Sequence, residues 1–591
     1  MYKPLPQFRF NSGAVLTGMA SKGVNNRDLA QLLKPNFAQR IENYLIRAEG
    51  RLTTRKGLTQ FFTETDVYPI SLISKWANGE WVFAYNTTVA VYNQSTGITT
   101  NIKTDFVSNA VFTGERYGDY FFVANGGNRV GRISKTLNFD AQTANFAIGE
   151  TITGGTSGAT AVILEQSDAG ATGTLTLGSI VGVFQDNEII TSSTGSATVN
   201  GALNYVFAEI SGAPKANIIK VIGARLFAGT ITGDVYYSDY DTGSNPPFNN
   251  WLVGALADDP GMVSYKNVGA INSIVEFGQF IVVFGDFGKF AFYINVVDSA
   301  GTLSKVDVFQ LSRLDQGGGR GALNTAKGLF YFNESGLRQL LNIGTEALPL
   351  SDSEFNTTLL LDVDYFDSVN LSNSDIAYDE RQNLIFVTYG NDSDVNNEII
   401  AYDPDAKSIT FITGWNINRF FNDNGVLYGA DSTETTTYKL FQGHTDDGLP
   451  IGTYFEQELD IGGLETIKDA LKLWVQSLLS RSSTVYLTFD KYGKDGTLSQ
   501  SVAQYALTLE NGRSLGVGYD EFGYDEAAYD GDLDLTGLFE SFEGINLRLR
   551  NIQRLVLKIS SSDEVPHQIN WIKIESRVKR QARRRGLTRI I

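Results

Sequence analysis

The stretch Asn43-Tyr44-Leu45-Ile46-Arg47-Ala48-Glu49-Gly50-Arg51-Leu52-Thr53-Thr54-Arg55-Lys56-Gly57 has the order of a β-hairpin. Asn43 to Ala48 form one strand, Glu49-Gly50 the turn, and Arg51 onward the returning strand, with glycine supplying the positive φ that a short hairpin turn needs. The hairpin introduces a long series of short apolar runs bounded by Gly, Asn and Asp, so the fold class it points to is all-β.

From about 65 to 140 these runs include Trp81-Val-Phe-Ala-Tyr85, Val89-Ala-Val-Tyr92 and Tyr120-Phe-Phe-Val-Ala124. The same texture returns from about 206 to 445, in Val221–Ala228, Val235–Ser238, Phe280–Phe284, Leu329–Phe332, Leu384–Tyr389 and Ile399–Tyr402. Several runs are followed within about ten residues by a turn and a second apolar strand, the rhythm of antiparallel meanders. At about 40–50 residues per four-stranded blade the two stretches suffice for six or seven propeller blades. A stack of sandwiches fits the same rhythm, because no Gly-His…Trp-Asp or kelch signature is present.

Residues 141–205 interrupt the series with an internal duplication. Phe146, Glu150, Ile152, Thr153, Thr156, Ala159 and Thr160 recur, without gaps, as Phe184, Glu188, Ile190, Thr191, Thr194, Ala197 and Thr198. The alternation is that of half-buried strands, so a small β module is expected here. Beyond 446 the runs Tyr454–Asp460, Ala470–Val475, Thr484–Phe489, Ile545–Leu549, Leu555–Ile559 and Ile569–Ile574 alternate strictly, which predicts an antiparallel β-sandwich. The expected organisation is therefore an N-terminal arm and hairpin (1–64), a propeller-like platform in two parts (65–140 and 206–445), the duplicated insertion (141–205), a C-terminal sandwich (446–576) and a basic tail (577–591). One short helix is expected in the arm, capped by Asn26 and stopped by Pro35.

The composition excludes several kinds of chemistry. There are 591 residues and no cysteine, so disulfides, thiolate metal sites and cysteine nucleophiles are ruled out. His444 and His567 are the only histidines, Gly numbers 60 and Pro only 12, a balance suited to many strands joined by tight turns. The net charge of −18 disfavours non-specific adhesion to nucleic acid over most of the surface. The most apolar long stretch, 277–297, carries Asp286 and Lys289, each costing about 2.5–3.5 kcal/mol at the centre of a membrane helix. It reads as two buried strands, and no membrane-spanning segment is expected.

Gly317-Gly-Gly-Arg-Gly321 lacks the following helix and the Lys-Ser/Thr of a phosphate loop, and reads as a turn. His444 sits beside Asp446 and Asp447 with no nucleophile elbow. The Asp-rich turns at 238–243, 403–405 and 490–496 lack the loop order of an EF-hand. No catalytic, cofactor-binding or metal-binding residue is assigned, and no cofactor is expected. The tail reverses sign, and Arg577, Lys579, Arg580, Arg583, Arg584 and Arg585 form a candidate docking strip for an acidic partner surface or for phosphates.

The order Asn43, Tyr44, Leu45, Gly50, Leu52, Arg55, Gly57 resembles a pattern in the tail nozzle, or tail tubular protein B-like, family of short-tailed bacteriophages. That family often has Arg-Pro-Gly where this chain has Arg55-Lys56-Gly57. The resemblance implies that the long β-rich region is a propeller and that the chain is a non-enzymatic virion component, assembled in the host cytoplasm. It further implies a ring, usually of six copies, between a tail adaptor and the tail tip or fibre proteins. Viral DNA would leave through that ring without sequence-specific binding. A second expectation, from the Gly/Thr-rich duplication, is a receptor- or glycan-binding tail protein; a third is a propeller glycosidase.

Overall fold

The computed structural model describes residues 14–578 except 18–22, 25–36, 48–50, 65–67, 78, 109, 242, 244–245, 255–258, 298–302, 312–317, 334–335, 341–353, 357–368, 459–467, 481–482, 493–497, 509–512, 515–537 and 553. The expected helix at 26–35 lies outside these residues. Among the described residues the regular structure is all strand apart from one short 3₁₀ turn at Lys266–Val268. Among the described residues no helix is long and apolar enough to cross a membrane.

Seven four-stranded antiparallel meanders follow one another. They span 70–103, 113–209, 218–264, 271–310, 322–356 and 369–412, and the seventh joins 417–440 to residues 58–63. The innermost strands touch in sequence, and the last, Ile417–Asp423, touches the first, Ile70–Ala77. This closes a seven-bladed propeller. Its ring is closed by Leu58–Thr63, which pairs antiparallel with Thr436–Leu440 as the outer strand of blade 7. Chain entry and exit are thereby hydrogen-bonded into one sheet.

Second strands lie between neighbouring blades and are covered on both faces, which is why they read as unbroken apolar runs rather than alternating ones. Glu80–Tyr85, Tyr120–Ala124, Phe280–Gly285 and Gly328–Asn333 are buried at every position. The stretch around 277–297 holds two strands of blade 4, Phe280–Gly285, buried throughout, and Lys289–Val297, buried from 289 to 292. Side chains also tie adjacent inner strands to each other's carbonyls. Asn418 Nδ2 donates to Ile70 O at 2.8 Å, Asn324 Nδ2 to Glu276 O at 2.8 Å, and Asn422 Nδ2 to Tyr378 O at 3.1 Å.

The duplicated module grows out of blade 2. Gly131–Ala144 begins as the third strand of that blade, pairing with Tyr120–Ala124 and Asn204–Glu209, and continues outward to pair with Gly173–Val181 and Ser196–Val199. Its two copies face each other: Thr153 lies opposite Thr191, and Phe146, Ile152, Phe184 and Ile190 share a core separate from those of the blades. Each copy's glutamate binds the other copy's turn. Glu188 accepts from Thr156 N, Ser157 N and Ser157 Oγ at 3.1, 2.9 and 2.8 Å. Glu150 accepts from Ser192 Oγ and Thr194 Oγ1 at 2.6 and 2.8 Å, and from Ser193. These hydroxyls, Ser192 first, hold the Glu150 carboxyl down at about 2.

The C-terminal strands form the expected sandwich, and described strands of the N-terminal segment, expected as an arm packed on a neighbour or on the chain's own body, are built into it. One sheet runs Tyr44–Arg47, Arg51–Thr54, His567–Val578, Lys468–Ser480, Leu538–Ile552, Arg513–Ser514, with Ala14–Thr17 also on His567–Val578. The other contains Arg40–Glu42, Thr453–Glu458, Arg554–Ser561, Val485–Tyr492 and Leu498–Leu507. It is continuous with blade 6 through a parallel bridge of Glu42 to Phe411. Thr453–Glu458 buries alternate residues, as a strand with one wet face does. Leu473, Val475, Ile572 and Ile574 of one sheet pack with Phe455, Leu487, Leu557 and Ile559 of the other, and this core runs on into Ile385, Ile400 and Tyr402 of blade 6.

Candidate functional site

The hairpin residues that carry the resemblance lie where blades 6 and 7 meet the sandwich. Strands Tyr44–Arg47 and Arg51–Thr54 pair with Arg47 opposite Arg51, so the turn falls at 48–50; Gly50 is outside the described residues. Asn43 precedes the hairpin at φ 57°, a left-handed conformation that asparagine tolerates better than most residues. All its polar groups are engaged. Its N–H donates to Phe411 O at 2.9 Å and its carbonyl accepts Arg55 N at 3.0 Å. Nδ2 donates to Thr413 Oγ1 and Gly452 O at 2.9 and 2.6 Å, and Oδ1 accepts Thr413 N at 3.0 Å.

Arg55 completes the arrangement, its side chain wholly inaccessible to solvent. Nε donates to Asn43 Oδ1 at 2.8 Å. Nη1 reaches Asp446 Oδ1 at 2.8 Å and Lys56 O at 3.1 Å, and Nη2 reaches Asp446 Oδ2 at 2.6 Å and Thr413 O at 3.2 Å. All five guanidinium N–H groups thus have acceptors. The guanidinium carbon lies 4.2 Å from the centre of the Trp415 ring, and Trp415 Nε1 donates to Asp446 Oδ1 at 2.8 Å. Burial pulls the Arg55 pKa below its ordinary value, against the opposing effect of Asp446. The bidentate carboxylate is what makes a charge tolerable there.

Gly57 and the two apolar members finish the clasp. A Cβ on Gly57 would stand 1.8 Å from Thr445 O, so only glycine allows the backbones to meet; Gly57 N donates to Gly443 O and Gln442 N to Gly57 O. Leu52 is buried opposite Ile569 in the sandwich core. Tyr44 is buried too, and its hydroxyl shares a 2.7 Å hydrogen bond with His567 Nε2. Burial drives the His567 imidazole down to about 3, so it is neutral, and raises the Tyr44 phenol. Asn43, Arg55 and Gly57 therefore join propeller to sandwich, while Tyr44 and Leu52 hold the hairpin within the sandwich sheet. Nothing in the sequence singles out their partners Thr413, Trp415 and Asp446 for this role; Asp446 stands out there only as a neighbour of His444.

Other sequence candidates have plain structural roles. Asp403 Oδ1 accepts the backbone N–H groups of Asp405 and Ala406, an Asx turn, while Asp405 pairs with Lys327 at 2.5 Å. Asp490 pairs with Lys558 at 2.7 Å. Arg577 lies on the last strand opposite Asp469; Lys579, Arg580, Arg583, Arg584 and Arg585 lie outside the described residues, as does the acidic run 519–534.

No protein-family profile matches the chain, and no curated protein matches it in sequence. Among solved structures it is similar to the computationally designed Ika8 protein, at 9% identity and a TM-score of 0.31 over 65% of this chain and 99% of that one. A chain of the mitotic checkpoint complex matches at 10% identity and a TM-score of 0.32, over 66% and 95%. Raptor from Chaetomium thermophilum matches at 8% and 0.34, over 68% of this chain and 30% of that one. Likenesses this distant carry no functional argument; the propeller assignment rests on the closed order of the strands.

Proposed function

We propose that this chain is a structural, non-catalytic subunit of a phage tail nozzle, assembling into a ring, usually of six, around the channel through which viral DNA leaves. One observation carries the reading: three residues of the nozzle-like pattern, Asn43, Arg55 and Gly57, lie in the contacts that fasten propeller to sandwich. A ring subunit that bears load between an adaptor above and a tail tip below needs its two β bodies fixed to each other. Asn43, Arg55 and Gly57 supply that fixation through hydrogen bonds and backbone contact. The net charge of −18 suits a wall past which DNA slides. Carboxylates facing a bore repel phosphate within the screening length of about 8 Å at physiological salt. Electron microscopy of the purified protein tests the reading directly: hollow rings support it, and a strict monomer absent from mature particles ends it.

A second reading, receptor or glycan binding, is favoured by the module at 137–203, whose core is its own and which projects from blade 2. Loss of host adsorption with intact tail assembly after its excision would select that role.

A further inference from the structure

The segment Gly318-Gly319-Arg320-Gly321 leads into Ala322–Thr325, the innermost strand of blade 5. Because every blade is an antiparallel meander, the innermost strands all begin on the same face of the propeller, at one mouth of its axis. Two features press this segment against blade 6. A Cβ on residue 319 would lie 2.1 Å from Ser374 Oγ, and one on residue 321 would lie 2.7 Å from Asp375 Oδ1. The glycines thus bring the Arg320 backbone against 374–375.

Arg419 approaches the same segment from blade 7. Its Nε donates to Ser71 O at 3.2 Å, and Nη1 donates to Asn373 O at 2.8 Å, Ser374 O at 3.4 Å and Asn418 O at 2.8 Å. The residue is only 9% exposed, yet Nη2 is buried with no hydrogen-bond partner. A buried donor left unmatched beside a second guanidinium is a destabilising arrangement unless an acceptor fills the gap.

The carboxylates nearby are engaged by other groups. Asp375 Oδ1 accepts Ile376 N at 3.0 Å and Oδ2 accepts Phe420 N at 2.8 Å. Asp286 is exposed and accepts Ala270 N at 3.1 Å and Asn272 Nδ2 at 2.9 Å. Burial, and after it the charge of Arg419, lower the Arg320 pKa to about 9, with Asp375 and Asp286 opposing. The charge of Asp375 acts on both guanidiniums, but its oxygens are taken by backbone N–H groups and it forms no ion pair with either.

We propose that Arg320 and Arg419 form a binding site for a small tetrahedral oxyanion of the phosphate type at this mouth of the propeller axis. The chemistry suits the forked geometry of arginine: one phosphate oxygen accepts from the unmatched Arg419 Nη2, and others accept from the Arg320 fork. The site lies within one chain, so it stands or falls independently of ring formation.

The test is isothermal titration of the full-length protein with inorganic phosphate, at ionic strength held constant with chloride, and with acetate as the carboxylate comparison. One saturable phosphate per chain is expected, with acetate weaker. Affinity should fall about tenfold or more in Arg320→Gln, since a hydrogen bond to a charged group is lost, and less in Arg320→Lys. Arg320 is the position to change because Arg419 also holds three carbonyls of blades 1 and 6. Phosphate should raise the thermal midpoint of the native chain and not that of Arg320→Gln. Absence of saturable binding, equal affinity in Arg320→Gln, or acetate binding as tightly as phosphate overturns the proposal.

Discussion

Replacing Asp446 with asparagine removes one charge from the clasp while keeping its shape. The Arg55 side chain is 0% exposed and that of Asp446 16%, so the substitution leaves a guanidinium sealed from water with no counter-charge. An exposed pair contributes about 0–1 kcal/mol. Breaking a fully buried one costs about 3–5 kcal/mol. Because Asp446 is partly wetted and the substituted amide can still accept from Arg55 and Trp415, the expected loss is about 2–4 kcal/mol. Urea unfolding followed by intrinsic fluorescence measures it, and limited proteolysis shows whether propeller and sandwich separate first. Arg55→Met in the Asp446→Asn background should recover part of the loss, since no orphaned charge remains. A shift below about 0.5 kcal/mol, the range of ordinary surface substitutions, would refute the clasp.

Three further outcomes are expected. Gly57→Ala should abolish soluble expression or lower the thermal midpoint severely, because the added carbon meets the Thr445 carbonyl rather than a side chain that can turn away. His567 is held neutral in the fold with its pKa at about 3. The unfolded chain takes up a proton there below about pH 6.5. Stability should therefore be unaffected by this group above pH 7 and fall between about pH 6 and 4 at up to about 1.4 kcal/mol per pH unit. His567→Phe should remove that part of the slope, as read from urea midpoints across the pH series. Since Thr136 and Asn204 are paired, replacing 137–203 with an Asn-Gly turn should restore an ordinary four-stranded blade and leave a folded propeller, as measured by circular dichroism and cooperative unfolding. Loss of the whole fold would contradict the separateness of the module.

The blades are legible in the sequence because burial on both faces writes itself into the chain. Trp81–Tyr85, Tyr120–Ala124 and Phe280–Phe284 are apolar without a break, and each marks a second strand. The duplication is legible because matching turns and glutamates repeat at one spacing, although the reciprocal binding of Glu150 and Glu188 needs the third dimension. What cannot be read is whatever depends on distant partners. Residues 58–63 close blade 7 by pairing with 436–440, and nothing local distinguishes a strand that pairs with its neighbour from one that pairs across the whole propeller. Likewise Arg55 finds Asp446 across 391 positions, and a single sequence holds no record of that pairing. Arg320 reads in sequence as part of a glycine turn, because Arg419 and Ser374 reach it only once blades 5, 6 and 7 have assembled.

The central functional claim is that copies of this body enclose a hole. Negative-stain or cryogenic imaging of the purified full-length chain, over a range of concentrations that includes those reached during particle assembly, measures this most directly. Closed hollow rings, usually sixfold, are expected, with the same density present in mature tails. Single separate subunits at every concentration, together with their absence from mature particles, would contradict it.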